Sequence, residues 1–386
     1  MGCWDVVVVG GGPAGCILAT QIAHEGFAVL LLDNRPRIGQ GKVCTGIIGE
    51  EAYRTWNLPR APILASIRDV RFVSPYETSF IYRHPTTLAY VVARDRFDAA
   101  LAERAISAGA AIRTAHWVTR IEPTPRGMTL TGHVGTDRQP FRLHARLVVL
   151  ATGVHYRLHS QVGLGRPRDF LRAAQAHVPV QRPLDMTTCW IGRRYAPGAF
   201  AWMVPISNGI IRTGLMAETS ARPFFQRMLD ILDARHGVAF RRVAVDFKPI
   251  AQGWKGPIVQ DHVIAIGEAA GQVKTTTGGG IYYGMVGAHT AVEHIIPALR
   301  ADRLRREHLQ GYERAIRRRL GPEILAGYTL RKMFARLSDD QIERIFEHVQ
   351  RDGFLRMIRM HAHFDWHLDL LRTVLQFRWI RLLLGL

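Results

Sequence analysis

The chain is poor in cysteine. Cys3, Cys16, Cys44 and Cys189 are its only four, and none sits in a C-x-x-C or Cys/His spacing that would hold zinc. A disulfide scaffold is thereby excluded, and a reduced, cytosolic compartment fits. Long apolar runs are also missing. The most aromatic and leucine-rich stretch, Phe364 to Leu386, is broken by Asp369, Arg372, Arg378 and Arg381, which argues against a membrane-spanning helix. The N-terminus has no basic n-region and enters a strand at once, so no secretory signal is expected. Acidic residues are scarce beside basic ones, 32 against 51, for a formal charge of +19. No nucleic-acid motif accompanies that excess, so nucleic acid is the least fitting partner. An anionic membrane surface or a negatively charged substrate such as a diphosphate fits better, although arginine usage alone can make a chain basic. Internal repeats and low-complexity linkers are absent.

What is present begins with size: 386 residues, 47% hydrophobic, enough for a large core and two or three domains. Trp4 to Val9 reads as a buried strand, and Gly10-Gly11-Gly12-Pro13-Ala14-Gly15 follows it directly. A helix to about Glu25 and a second strand, Phe27 to Leu32, lead to Asp33. This is G-x-G-x-x-G inside a strand-helix-strand unit with an acid at the expected distance, a dinucleotide-binding fingerprint. Gly10 permits the tight turn, Gly12 lets the backbone approach a pyrophosphate, and Gly15 lets helix pack on strand. Asp33 is placed to accept from ribose hydroxyls. A second glycine-rich layout occupies His262 to Gly287. There a short apolar strand ends in Gly267-Glu268-Ala269-Ala270-Gly271, and Gly278 to Gly280 open a helix to about Arg300. Unpaired N–H groups at such a helix start suit a phosphate or another anion.

Between the two layouts lies a loop, Arg35 to Ile48, carrying Lys42, Cys44 and Gly46. Short strands are expected over 67–93, and a helix from Arg94 to Gly109 with Asp98 as a first-turn acid complementing the dipole. Strands are expected at Ala111 to Ile121 and Arg142 to Ala151, followed by a strand-rich region over 172–250. From about 301 the chain reads as helical and Arg-rich. Its last segment suits either an interfacial amphipathic helix on an anionic membrane or a helix packed on its own protein. His361, His363 and His367 cluster without a Cys or Glu at metal spacing, so no metal is expected.

With both glycine layouts in view, the chain resembles the geranylgeranyl reductase family of FAD-dependent oxidoreductases, within the p-hydroxybenzoate hydroxylase-like flavoprotein group. The resemblance spans roughly residues 4 to 350. It rests on Gly10 to Gly15 with Asp33, Arg94 to Asp98 and Gly267-Glu268. More specific to the reductases are Lys42-Val43-Cys44-Thr45-Gly46, Phe200-Ala201-Trp202-Met203-Val204-Pro205, and Thr277 through Gly284. Three letters depart from the family pattern: Glu268 replaces the usual Asp, Thr45 separates Cys44 from Gly46, and Phe200 replaces a Tyr.

The resemblance implies an α/β fold: a Rossmann-like FAD-binding domain (1–66, 94–155, 251–300) with an inserted, mainly antiparallel β substrate domain (67–93, 156–250) and a C-terminal helical region (301–386). It implies that FAD is held by Gly10, Gly12, Pro13, Ala14, Gly15, Asp33, Asn34, Arg35, Cys44, Arg94, Val118, Gly153, Gly267, Glu268, Gly278, Gly279, Gly280 and Ile281. It implies reduction of an isoprenoid C=C bond in a lipid, quinone or prenyl diphosphate, by hydride transfer from reduced flavin. Cys44 is then a candidate proton donor, with Trp202 and Tyr282 lining the pocket; each aromatic could equally be core. The electron donor would be NAD(P)H or ferredoxin, and a peripheral position on the inner face of the cell membrane is compatible with the charge. The competing reading is a flavin-dependent monooxygenase or halogenase of the same fold. A halogenase usually shows Trp-x-Trp-x-Ile-Pro, and Phe200 stands in place of its first Trp.

Overall fold

The computed structural model describes residues 3–207, 209–238, 243–350 and 354–384. Strands Val263–Ala265, Gln139–Leu150, Trp4–Val9, Val29–Leu32 and Ala111–Arg113 lie side by side in that order, all parallel. Val6 to Val8, Leu30 to Leu32 and Leu147 to Leu150 are fully buried. Cover on both faces explains why these strands read as unbroken apolar runs rather than alternating ones. Helix Pro13–His24 packs on Ile281–Arg300 and on Arg94–Ser107. The first half of Gln139–Leu150 also carries an antiparallel arm, Gly127–Val134 and His116–Thr124. The single strand expected over Ala111 to Ile121 is therefore two. Ala115 turns left-handed (φ 52°) between them, ending the parallel edge strand and redirecting the chain into the arm.

A seven-stranded sheet runs Asp246–Gln252, Asp169–Pro179, Ile210–Ala217, Phe200–Ser207, Thr187–Ile191, Asp69–Val73, Ser79–Arg83. Its neighbours are antiparallel except for the parallel pair Thr187–Ile191 and Asp69–Val73. Helix Arg222–His236 covers one face, within a stretch expected to be strands. Phe225, Met228 and Leu232, spaced three and four apart, are its buried residues. A separate three-stranded sheet joins Ile47–Gly49, Ala89–Val92 and Ile63–Ile67. Residues 67–93, assigned to the substrate sheet on sequence, thus contribute only 69–83 to it. The end of that stretch pairs with the strand that follows the Cys44 loop, because the Val92 N–H donates to Gly46 O at 2.9 Å.

The C-terminal region is helical: Arg306–Phe334, Asp339–Val349, Phe354–His361, Leu368–Val374 and Arg378–Leu384. Ser338 and Gln341 form a reciprocal capping box that starts the second of these. Among the described residues no helix is long and apolar enough to cross a membrane.

At Gly15 a Cβ would lie 2.1 Å from the Gly10 carbonyl oxygen, a backbone atom held by the parallel sheet. Gly15→Ala should destabilise the fold by about 2–3 kcal/mol in urea unfolding; an unchanged midpoint would show that the loop yields.

Candidate functional site: two glycine loops against one helix start

The two glycine layouts, some 250 residues apart, meet at Ala14. Its methyl group would stand 3.3 Å from a Cβ on Gly267 and 3.4 Å from one on Gly284. Gly10 turns through φ 116° and donates its N–H to Leu32 O at 2.8 Å. Gly12 caps helix Pro13–His24 with no side-chain cap, and a Cβ there would meet nothing within 4 Å. Gly280 caps helix Ile281–Arg300 in the same bare fashion. Gly153 is similarly open, with only Glu268 Oε2, 3.9 Å away, near a Cβ. Two uncapped helix starts and an open glycine edge converge on one space, with unpaired N–H groups available to an oxyanion.

Basic side chains ring that space. Burial pushes the Lys42 ammonium down, and the neighbouring Arg35 adds to the effect. Burial also lowers the His155 imidazole, with Arg35, Lys42 and Lys248 contributing. Crowded cations of this kind are relieved by a bound anion. Asp33 holds the loop itself rather than standing free for a ribose: Oδ2 accepts the Gly11 N–H and Oδ1 the Arg35 N–H, each at 2.8 Å. Asn34 and Arg35 follow it, half-buried. Glu268 reaches Lys248 of the seven-stranded sheet at 2.8 Å, so its extra methylene spans to a neighbouring sheet. Val118 is buried in the antiparallel arm opposite Gly132.

Arg94 and Asp98 form a bidentate pair at 3.0 and 2.9 Å, with Asp98 fully buried. Asp98 is thus the buried partner of Arg94 and not a solvent-facing dipole acid. Burial opposes the Arg94 charge, but Asp98 and the Cys44 sulfur outweigh it and hold its pKa above the usual arginine value. Cys44 Sγ accepts the Gly46 N–H at 3.3 Å. Arg212, buried in the run Ile210–Ala217, reaches across to the Thr45 carbonyl, donates to Val92 O at 3.3 Å and to His177 Nε2 at 2.7 Å. Thr45 Oγ1 donates to Gln175 Oε1 at 2.9 Å. The cysteine loop is thereby clamped to the seven-stranded sheet. Arg212 was not singled out on sequence; the signal was an arginine inside the otherwise apolar IIRTGLMA.

Trp202 packs with Phe200, Leu171, Met216 and Ile250 in one apolar cluster. Met216 and Ile250 also abut Gly278 (φ 72°), where a Cβ would meet Met216 Sδ at 2.5 Å, so this cluster adjoins the second glycine loop. The Trp202 indole N–H is buried without a partner. Tyr282 lies elsewhere: it is buried in the core, its hydroxyl donates to Glu51 Oε1 at 2.6 Å, and its ring meets Trp56 and Trp366. These contacts commit the phenol to helix Glu50–Trp56 and to Trp366 of the C-terminal segment instead of an open pocket wall. Ile281 begins the helix beside it, half-buried.

That segment seals the underside of the second loop. Lys274 accepts the Gly278 N–H at its own carbonyl (2.8 Å) and donates its N–H to Gly279 O (3.0 Å). Its buried ammonium pairs with the buried Asp365 carboxylate at 2.8 Å and donates to Phe364 O at 3.1 Å. Burial pushes the Asp365 carboxyl up, partly offset by Lys274. His367 Nδ1 bonds Thr276 Oγ1 at 2.6 Å, and Glu323 accepts the His367 N–H at 2.9 Å. His361 pairs separately with Asp369 at 2.7 Å. Among the described residues no group of three His, Cys, Asp or Glu could hold a metal ion.

The donor set fits a dinucleotide with a pyrophosphate: a Gly12 edge that any Cβ would fill, two bare helix starts and a basic surround. A family model described as lycopene cyclase protein matches residues 5–181. The chain is 26% identical over 392 residues to a digeranylgeranylglycerophospholipid reductase of Methanothermobacter thermautotrophicus, covering 96% of this chain and 100% of that one. Among solved structures it superposes on a geranylgeranyl bacteriochlorophyll reductase-like protein from Thermoplasma acidophilum with TM-score 0.81, at 20% identity over 96% and 99% of the two chains. It also superposes on the flavin-dependent brominase Bmp2 with TM-score 0.70, at 18% identity over 97% and 98%. The protein is an FAD-dependent oxidoreductase. Within that class its sequence and fold are similar to those of geranylgeranyl reductases.

Two outcomes are expected. Gly12→Ala, at φ −80° and with open space around it, should leave stability within about 0.5 kcal/mol of the parent, yet lower FAD retention after gel filtration, read from the visible absorbance. The second concerns pH. Burial pushes the His159 imidazole, which donates to Ala269 O, and the His367 imidazole each down to about 4 from an ordinary 6.5. As pH falls between those values the unfolded chain takes up protons that the folded one refuses. The contribution of these histidines to stability is full above 6.5 and lost towards 4. A melting temperature that fails to drop across that window would contradict both assignments.

Proposed function

We propose that the protein saturates an isolated C=C bond of an isoprenoid lipid, quinone side chain or prenyl diphosphate. The observation that carries this reading is the seating of the Cys44 loop. A buried guanidinium from the seven-stranded sheet fixes its backbone, while the apolar cluster around Trp202 adjoins the second glycine loop. Reduced FAD, when bound, supplies a hydride to one carbon of the double bond. The Cys44 thiol is the proton source for the other carbon, and Arg94 and Arg212 hold it in place. Leu171, Phe200, Trp202, Met216 and Ile250 exclude water, which would otherwise trap a developing carbocation, and the indole face favours cationic character by ~0.5–2 kcal/mol. The end-to-end likeness to a digeranylgeranylglycerophospholipid reductase supports a lipid substrate.

Electrons would come from NAD(P)H or a ferredoxin-type carrier, since the sequence holds no second nucleotide fingerprint. The C-terminal helices expose Met360 and Leu382, each 68% accessible, with Arg359 and Arg381 next to them in sequence. That composition supports peripheral contact with an anionic membrane.

The test is anaerobic incubation of dithionite-reduced protein with a panel of prenyl compounds, read as a mass gain of two hydrogens. Cys44→Ala should lower the rate about 100-fold with the flavin spectrum unchanged; a near-normal rate removes the donor role. Oxygen uptake matched to product would instead favour a monooxygenase or halogenase.

A further inference from the structure

We propose that the outer edge of the seven-stranded sheet carries a second binding site, for a phosphate-type oxyanion borne by a lipid headgroup or a soluble phosphate ester. A cavity of about 650 Å³ opens there, between the edge strand Ser79–Arg83, the end of helix Arg222–His236 and helix Phe354–His361. Four separate elements bring arginines to it: Arg71 and Arg83 from two paired strands, Arg235 from the last turn of one helix, Arg359 from the other.

The charges there are not self-compensating. Arg71 stands opposite Ile81, so Arg71 and Arg83 are diagonal neighbours on one face, an arrangement that like charges disfavour. Glu77 is the one carboxylate in the lining, and it is taken by Arg235 at 2.5 Å and by the Tyr195 hydroxyl at 2.8 Å. Arg71 turns outward to Asp185 at 3.1 Å. Asp69 is the cross-strand partner of Arg83 but forms no ion pair with it. Among the described residues Arg83 and Arg359 have no acidic partner, and both are exposed to the cavity solvent. These two guanidinium groups face one concave space, and their planar forks can each bind a tetrahedral phosphate through two oxygens. Ile81 and Leu355 give the same cavity an apolar wall, suited to the organic part of an ester rather than to a bare ion.

The site is separate from the flavin-facing one. Lys248 and Ile250, which meet the glycine loops, lie on the strand at the opposite edge of the sheet. Six strand spacings of ~4.8 Å put about 29 Å between the two edges. The inference therefore stands independently of the reductase reading, and its test does not use turnover.

FAD-loaded, full-length protein is titrated calorimetrically with sodium pyrophosphate at constant ionic strength. It is then pelleted with vesicles of phosphatidylcholine, with and without phosphatidylglycerol. The variant Arg83→Gln/Arg359→Gln is compared with Arg120→Gln/Arg126→Gln, which removes the same charge from exposed positions on the other sheet. Pyrophosphate affinity should fall at least about tenfold in the first pair and less than about twofold in the second. Pelleting with anionic vesicles that pyrophosphate competes away identifies a lipid headgroup. Pyrophosphate binding without pelleting identifies a soluble ester. The proposal is overturned if the parent protein binds neither, or if both pairs of substitutions weaken binding equally.

Discussion

The whole arrangement depends on a close approach between backbones. The first turn of helix Pro13–His24 touches the turn at Gly267 and the helix at Gly284, with only the Ala14 methyl between them. Such contact leaves little room for a side chain at Gly267, whose positive φ of 67° already favours glycine, and it sets two uncapped helix starts around one space. The order of the parallel strands follows from it: Val263–Ala265 must lie one strand beyond Gln139–Leu150 for its turn to reach Ala14. A chain that inserts about 100 residues of second sheet between those strands can still close the site, because parallel sheets are built from crossovers anyway.

Around that contact the charges divide into two groups. Lys42, Arg35, His155 and Lys248 gather around the glycine edges, and their mutual repulsion, offset in part by Asp33, Asp98 and Glu268, would be eased further by a bound anion. Arg94 and Arg212 act within the protein, the first paired with buried Asp98 and the second spent on backbone carbonyls of the cysteine loop. Arg94 comes from the first turn of helix Arg94–Ser107 and Arg212 from the seven-stranded sheet, so the position of the thiol is set by how that sheet docks against the helix start.

How much of this was legible beforehand depends on range. The glycine loops, the buried parallel strands and the class of cofactor follow from local spacing, because Gly10, Gly12 and Gly15 each answer a short-range steric need. The strand break at Ala115 and the helix over 222–236 were missed, the first because a non-glycine residue took a left-handed turn, the second because its Phe225, Met228 and Leu232 spacing was hidden among β-rich neighbours. Side-chain partners were the least legible. Arg212 with Thr45, Lys248 with Glu268 and Tyr282 with Glu51 join residues far apart in sequence, and nothing in the local pattern announces such a partner. Asp33 was expected to meet a ribose and Asp98 to complement a helix dipole; in the structure Asp33 accepts the Gly11 and Arg35 N–H groups and Asp98 pairs with Arg94.

The Lys274–Asp365 pair joins positions 91 residues apart and lies beneath the second glycine loop. On a ribosome the loop emerges well before its counter-charge does. Until residues 364–367 leave the exit tunnel, Lys274 has no buried carboxylate to meet, and the ammonium beneath Gly279 must remain hydrated. The floor of the second glycine loop is thus closed by a segment translated 91 residues after the loop itself.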